Sequence, residues 1–255
     1  MIPLMTRKCL ADRAEIIHSF RAGRFRLCTL QMHIVSLGCN CYPAAYIKAR
    51  LKPVNKETQL FDTIGTSVWS INKLIEERFE GIVDRHNFKD RQHREGEGEG
   101  TVVTNVRYNL RFLHDLDAAM QARSHTFQAK VLRRIQRLEG IFRKADQLLL
   151  IRYQENQKGR IQYGPSPVDE YGDLCRFAAL LRSTYGTPNF VIVYLTADPV
   201  TDQWNEESRI LSVQLPTLVY TYEECAARIG AFLDPLLPFV QSKLDPPPSA
   251  THEKA

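Results

Sequence analysis

The chain has 255 residues, enough for one sizeable α/β domain, and its 44% hydrophobic and 25% charged residues are ordinary values for a soluble globular protein. No run approaches the ~18 apolar residues that a membrane helix needs, so we expect no membrane span. Residues 1–31 carry +4 of the formal net charge of +5, and the nearly neutral remainder argues against a nucleic-acid partner.

Composition divides the chain into three parts. Residues 1–31 form a basic N-terminal extension, residues 32–244 a single α/β domain, and residues 245–255 a tail that we expect to be disordered. The cysteines are too scattered for a disulfide framework and lack zinc-site spacing, so we expect reduced thiols, a cytoplasmic protein, no metal and no cofactor. They are Cys9, Cys28, Cys39, Cys41, Cys175 and Cys225.

The first predicted unit is a strand, a tight turn and a helix. Residues 32–37 have the continuous apolar character of a buried strand, which Gly38 ends. The helix should begin at Pro43, because the missing N–H of proline would have no partner in the first turn. Its predicted inner face consists of Ala44, Ile47 and Leu51.

Three further segments precede the middle of the chain. A helix is predicted over 67–80, with Gly81 as its stop. Residues 84–100 contain almost nothing to bury, which predicts a mobile loop. Residues 105–112 alternate strictly between apolar and polar side chains, which predicts one half-exposed strand. Its apolar face would be Val106, Tyr108, Leu110 and Phe112.

A long amphipathic helix is predicted over 118–144. Its inner face would be Phe127, Val131, Ile135, Leu138 and Phe142. The basic side chains on this helix are expected to form a solvated outer face, which is the usual meaning of such a charge run. These side chains are Lys130, Arg133, Arg134 and Arg137.

The rest of the chain alternates strands and helices. Apolar strands are predicted at 148–153 and 190–195 around a helix at 169–185, followed by a weaker strand at 210–215. A last helix starts at Tyr222 and is interrupted near Pro235 and Pro238. This alternation predicts an α/β fold with three layers, in which helices cover both faces of a mostly parallel, flavodoxin-like or SGNH-like sheet with one added half-exposed strand.

The turn after the first strand is where such a sheet would place a ligand. Unpaired amides at the helix start there would favour the thiolate of Cys41, the form that attacks carbon. Among the histidines, His114 is the best-placed proton acceptor, because it ends a strand beside Asp115. The residues alone nevertheless favour the alternative that Cys41 is only a small buried side chain, as cysteines often are.

Five short phrases occur in order along the chain: 36-SLGCNCYPAAYIK-48, 60-LFDTI-64, 112-FLHD-115, 133-RRIQRL-138 and 149-LLIRY-153. Together they resemble a family of papain-like cysteine peptidases. The resemblance places the asparagine–cysteine pair of that family on Asn40 and Cys41. Its phenylalanine–aspartate and histidine–aspartate pairs fall on 61–62 and 114–115. The chain departs from the pattern in having Leu60 for a proline and Thr63 for a tryptophan.

The resemblance implies a cysteine hydrolase or acyltransferase. Cys41 would attack a carbonyl carbon, His114 would take and return the proton, and Asp62 or Asp115 would orient the imidazole. Backbone amides of residues 38–44 would hold the oxyanion. The candidate binding residues around this turn are Ser36, Gly38, Cys39, Asn40 and Arg152. The substrate class stays open between a small molecule, a glycan and a peptide.

Other functions compete with this one. The same turn also resembles the GSCFA group of SGNH-type esterases, which implies a serine nucleophile at the position of Cys39. A phosphate or sugar phosphate could bind at the helix start with Arg133, Arg134 or Arg152. A third alternative is an interaction domain without catalysis.

Overall fold

The computed structural model describes residues 32–38, 41–51, 53–55, 57–92, 101–112, 125–154, 169–200, 204–215 and 222–245. All of them belong to one compact unit, Gln31–Ala255. The N-terminal extension and all but the first residue of the tail lie outside the described residues. The three-part division of the chain therefore stays a prediction.

The described chain contains both strands and helices. The strands are β1 (His33–Ser36), β2 (Ile64–Gly65), β3 (Phe88–Gln92), β4 (Thr101–Asn105), β5 (Leu110–Phe112), β6 (Leu148–Gln154), β7 (Phe190–Thr196), β8 (Trp204–Asn205) and β9 (Ile210–Gln214). The helices are α1 (Tyr42–Arg50), α2 (Val68–Glu76), α3 (His125–Lys144), α4 (Glu170–Tyr185), α5 (Tyr222–Leu233) and α6 (Leu237–Leu244). Short 3-10 turns occur at Leu60–Asp62, Arg85–Asn87 and Asp234–Leu236, and the last of these makes the expected interruption of the final helix.

The larger sheet is mostly parallel, as predicted. Its strand order is β1-β6-β7-β9-β8, in which β8 alone runs antiparallel to its neighbour. Every side chain of β7 and all but the last of β6 are buried, so both faces of these central strands are covered. On one of those faces α2, α3 and α4 contribute to the main hydrophobic core. The finer three-layer, flavodoxin-like arrangement stays a prediction.

A second, antiparallel sheet replaces the single added strand that the sequence predicts. Its order is β2-β5-β4-β3. The strand predicted over 105–112 is wrong, because the chain turns back between β4 and β5. The Asn105 side chain accepts hydrogen bonds from the backbone N–H groups of Arg107 (3.1 Å) and Tyr108 (3.2 Å), and Asn109 has a left-handed φ of 50°. This turn leaves Val106 46% exposed, contrary to its predicted inward position.

Two other local predictions need correction. The mobile loop predicted over 84–100 is wrong for its first part, where a 3-10 turn leads into β3; residues 93–100 lie outside the described residues. The second helix ends at Glu76 rather than near residue 80, because Arg78 and Phe79 adopt left-handed backbone with φ of 50° and 59°. Phe79 still packs in the core as predicted.

Candidate functional site

The turn after β1 is held in place by close backbone packing. Gly38 has a φ of +73°, and a Cβ at this position would lie 2.8 Å from Thr66 Cγ2 and 3.0 Å from the Ile64 carbonyl oxygen. Only glycine fits such a position without strain. Its N–H donates to Oγ of the fully buried Ser36 (3.2 Å). The turn is therefore fixed against the segment around β2.

Cys41 lies at the start of α1. It is the residue immediately before the helix, one position ahead of Tyr42 and two ahead of Pro43, so the helix begins one residue earlier than predicted. Its thiol is free and half-buried. Burial raises the pKa of the Cys41 thiol, and a hydrogen bond from its own backbone amide lowers it by less. The described surroundings thus favour the neutral thiol, because loss of hydration outweighs the amides of the helix start.

The inner face of α1 differs in part from the prediction. Ile47 and Leu51 are buried as expected, but Ala44 is only half-buried. Ala45 and Tyr46 are buried instead, and Tyr46 is fully inaccessible.

Asp62 ends the 3-10 turn that precedes β2. Its Oδ2 accepts a hydrogen bond from the Gln59 backbone N–H (2.7 Å). Burial raises the pKa of the Asp62 carboxyl, while this hydrogen bond and the nearby charge of Arg134 lower it.

Arg134 corrects the prediction of a wholly solvated basic face on α3. Its side chain is buried, and Nη1 donates to Thr63 Oγ1 at 3.3 Å. Periodicity does not reveal this contact, because it reports only which face of the helix a residue occupies, whereas the long side chain of an arginine can fold across the helix. The charge is therefore close to Asp62 rather than dispersed in solvent.

A cleft of about 1040 Å³ brings two predicted catalytic residues together. Cys41 and Asp62 both line it, although they are 21 residues apart in the chain. Its other lining residues are Ile34, Tyr42, Ala44, Ala45, Ile47, Lys48, Leu51, Pro53, Asn55, Glu57, Thr58, Gln59 and Thr63. The predicted His114, Asp115, Cys39 and Asn40 lie outside the described residues.

Arg152 is engaged within the protein. It is 1% exposed, forms an ion pair with Glu170 at the start of α4, and donates from Nη1 to the Leu37 carbonyl oxygen (2.8 Å). A guanidinium that already binds a carboxylate is poorly suited to bind a phosphate as well. Glu170 is the residue that sequence reasoning missed, although an arginine inside an apolar strand requires a buried acidic partner.

A second, smaller cleft of about 310 Å³ lies at the carboxyl ends of β6 and β7. Its polar wall includes Gln154, whose Oε1 accepts hydrogen bonds from Tyr194 and from Thr196 Oγ1 (3.1 Å). Within the part of the chain that the structure describes, no group of three or more His, Cys, Asp or Glu side chains is arranged to hold a metal ion. None of the helices in the described ranges has both the length and the apolar content to cross a bilayer.

A family model covers the region in which the five short phrases occur. A family model described as "Putative papain-like cysteine peptidase (DUF1796)" matches residues 32–196, which run from β1 to the end of β7. Comparisons with curated proteins and with solved structures found no match. The matched region includes both Cys41 and Asp62, and α5 and α6 follow it. The chain therefore belongs to the family that this model describes.

Proposed function

We propose that the protein is a cysteine hydrolase in which Cys41 attacks the acyl carbon of its substrate. The observation that carries the proposal is the shared cleft: the free thiol at the start of α1 and the Asp62 carboxylate line one cavity large enough for a small ligand. The family of the chain supports the same chemistry.

The reaction requires a base, because the described surroundings keep Cys41 protonated. We assign this role to His114, with Asp62 or Asp115 orienting the imidazole, on the strength of the family motif. His114 takes the proton of the Cys41 thiol as the sulfur bonds to the carbonyl carbon, and the bond to the leaving group breaks as His114 gives that proton to the group. Water then gives a proton to His114 and attacks the thioester carbon; the carbon–sulfur bond breaks, the acid leaves, and His114 returns the proton to the Cys41 sulfur.

The oxyanion would be held by the first amides of α1. Gly38 cannot contribute, since its N–H already donates to Ser36 Oγ, and Pro43 has no N–H. Each well-aimed donor can stabilise such a transition state by about 3 kcal/mol.

Turnover of a chromogenic ester and of a fluorogenic peptide amide tests the assignment. Cys41→Ala should abolish both activities, whereas Cys175→Ala should retain them, because Cys175 is also free and half-buried but lies on α4. Wild-type turnover in Cys41→Ala would refute the proposal.

Alkylation with iodoacetamide across pH tests the assigned base separately. If His114 stabilises the thiolate, the apparent pKa of Cys41 should be below about 7.5 in the wild type and about 8.5 or higher in His114→Ala. A wild-type value of about 8.5 or higher would contradict the role of His114.

A further inference from the structure

The helix that carries Cys41 is braced by a part of the chain beyond the family match. That match ends at residue 196, whereas α5 and α6 span Tyr222–Leu233 and Leu237–Leu244. Even so, α1 packs more extensively against α5 than against either β1 or β6. The C-terminal helices are therefore part of the structure that holds the candidate nucleophile.

The carboxylate of Asp234 provides a polar link between α1 and the C-terminal helices. Asp234, in the 3-10 turn between α5 and α6, accepts a hydrogen bond at Oδ1 from the hydroxyl of Tyr46 (2.7 Å). Its Oδ2 forms an ion pair with Arg50. Both partners lie on α1, one turn apart, so the carboxylate contacts the helix at two points.

The surroundings of this link keep it closely packed. Tyr46 is fully buried, and burial together with Asp234 raises the pKa of its hydroxyl far above the ordinary value, so the hydroxyl remains a donor at any physiological pH. Gly230 lies against the ion pair, where an added Cβ would come within 3.2 Å of Asp234 Oδ2 and 3.4 Å of Arg50 Nε. A methyl group at this position would therefore crowd the ion pair.

We propose that Asp234 is a positioning residue for Cys41, acting through Tyr46 and Arg50. Asp234 holds α1 at Tyr46 and Arg50, and so limits rotation of the helix that would carry the thiol away from the cleft. Tyr46 follows Cys41 by five residues, about 7.5 Å along the helix axis, so a tilt at Asp234 is transmitted to the thiol. The functional meaning of this brace rests on the proposed role of Cys41.

The test compares alkylation rates of two thiols in one protein. Iodoacetamide at about pH 9 should label Cys41 about fivefold faster in Asp234→Ala than in the wild type, because a loosened α1 exposes the thiol to the reagent and its hydration favours the thiolate. Cys175 should keep its rate, which separates local loosening of α1 from global unfolding. Tyr46→Phe should also raise the Cys41 rate, while Asp234→Asn should raise it less than Asp234→Ala, because its amide oxygen can still accept from Tyr46 although the ion pair with Arg50 is lost.

A matched control breaks a different ion pair on the C-terminal helices. Glu206→Gln removes the partner of Lys243 on α6, at a contact that does not involve α1, and should leave both rates unchanged. The proposal is overturned if the ratio of Cys41 to Cys175 labelling stays at its wild-type value in both Asp234→Ala and Tyr46→Phe. Because labelling does not require catalysis, a changed ratio with full hydrolysis in Cys41→Ala would refute the proposed function and still support the brace.

Discussion

Gly38 and Thr66 approach each other so closely that a single methyl group on Gly38 would lie 2.8 Å from Thr66 Cγ2. This contact joins the turn before Cys41 to the segment after Asp62. Cys41 and Asp62 line one cleft, and the structure shows no hydrogen bond between these two described side chains.

Gly38→Ala should therefore destabilise the protein by about 2–4 kcal/mol, since it adds left-handed backbone strain to steric overlap. Urea unfolding measures this loss. Gly186→Ala is the matched control, because Gly186 has a φ of +66° with no atom within 4 Å of an added Cβ. It should lose only about 1–2 kcal/mol. Equal losses at the two positions would show that the contact with Thr66 does not constrain the turn.

Asp62→Asn should reduce hydrolysis without reducing the stability of the fold. Burial raises the pKa of this carboxyl, so ionising it at neutral pH costs folding free energy, and the neutral amide can still accept from the Gln59 N–H. We expect equal or higher resistance to urea at neutral pH together with reduced hydrolysis. If the variant hydrolyses the ester and the amide as fast as the wild type, Asp62 has no part in the reaction, and Asp115 is left as the orienting carboxylate.

Arg152 and Glu170 should behave as one buried unit. Arg152→Met leaves a buried carboxylate without its partner and should cost about 3–5 kcal/mol, whereas Arg152→Met combined with Glu170→Met should recover most of this loss. A double-mutant cycle in urea measures the coupling. Inorganic phosphate should not raise the melting temperature of the wild type; a clear rise would instead favour an anion site in this region.

Asp173 should make stability depend on pH. Burial, followed by the charges of Glu170 and Asp169, raises the pKa of Asp173 from 3.8 to about 6. Between these values the folded protein holds a proton that the unfolded chain has lost, so the free energy of unfolding should fall as pH rises through this window.

Asp173→Asn should remove that fall. The side chain is only partly buried, so solvent screening reduces the expected gain at neutral pH to about 1 kcal/mol, with no gain below about pH 4. Urea unfolding of both proteins at the two pH values checks this. If Asp173→Asn raises the free energy of unfolding equally at both pH values, Asp173 does not titrate as its surroundings indicate.

The parallel sheet is well predicted from the sequence because its strands are short, continuous apolar runs, and the helices between them show a clear helical spacing of apolar residues. β6 and β7 confirm this, as does the core face of α3 from Phe127 to Phe142. The antiparallel sheet was missed because its turn depends on side-chain chemistry. Asn105 captures two backbone amides and reverses the chain inside a stretch whose alternation is that of one uninterrupted strand.

For the candidate site, the family resemblance names both Cys41 and Asp62, and these two residues line one cleft. Their catalytic roles stay a prediction. The burial of Arg134 and the pairing of Arg152 with Glu170 depend on contacts between distant segments, which periodicity does not report. The Asp234 brace lies beyond the family motif and joins positions 184 residues apart, so no local pattern could have indicated it.

Mass spectrometry of the protein after brief exposure to p-nitrophenyl acetate, followed by digestion at acidic pH, tests the central claim most directly. If Cys41 is the nucleophile and His114 its base, we expect an acetyl thioester on Cys41, none on Cys175, and a loss of the label in His114→Ala. A stable acetyl group on another side chain, with Cys41 unmodified while the ester is being turned over, would contradict it.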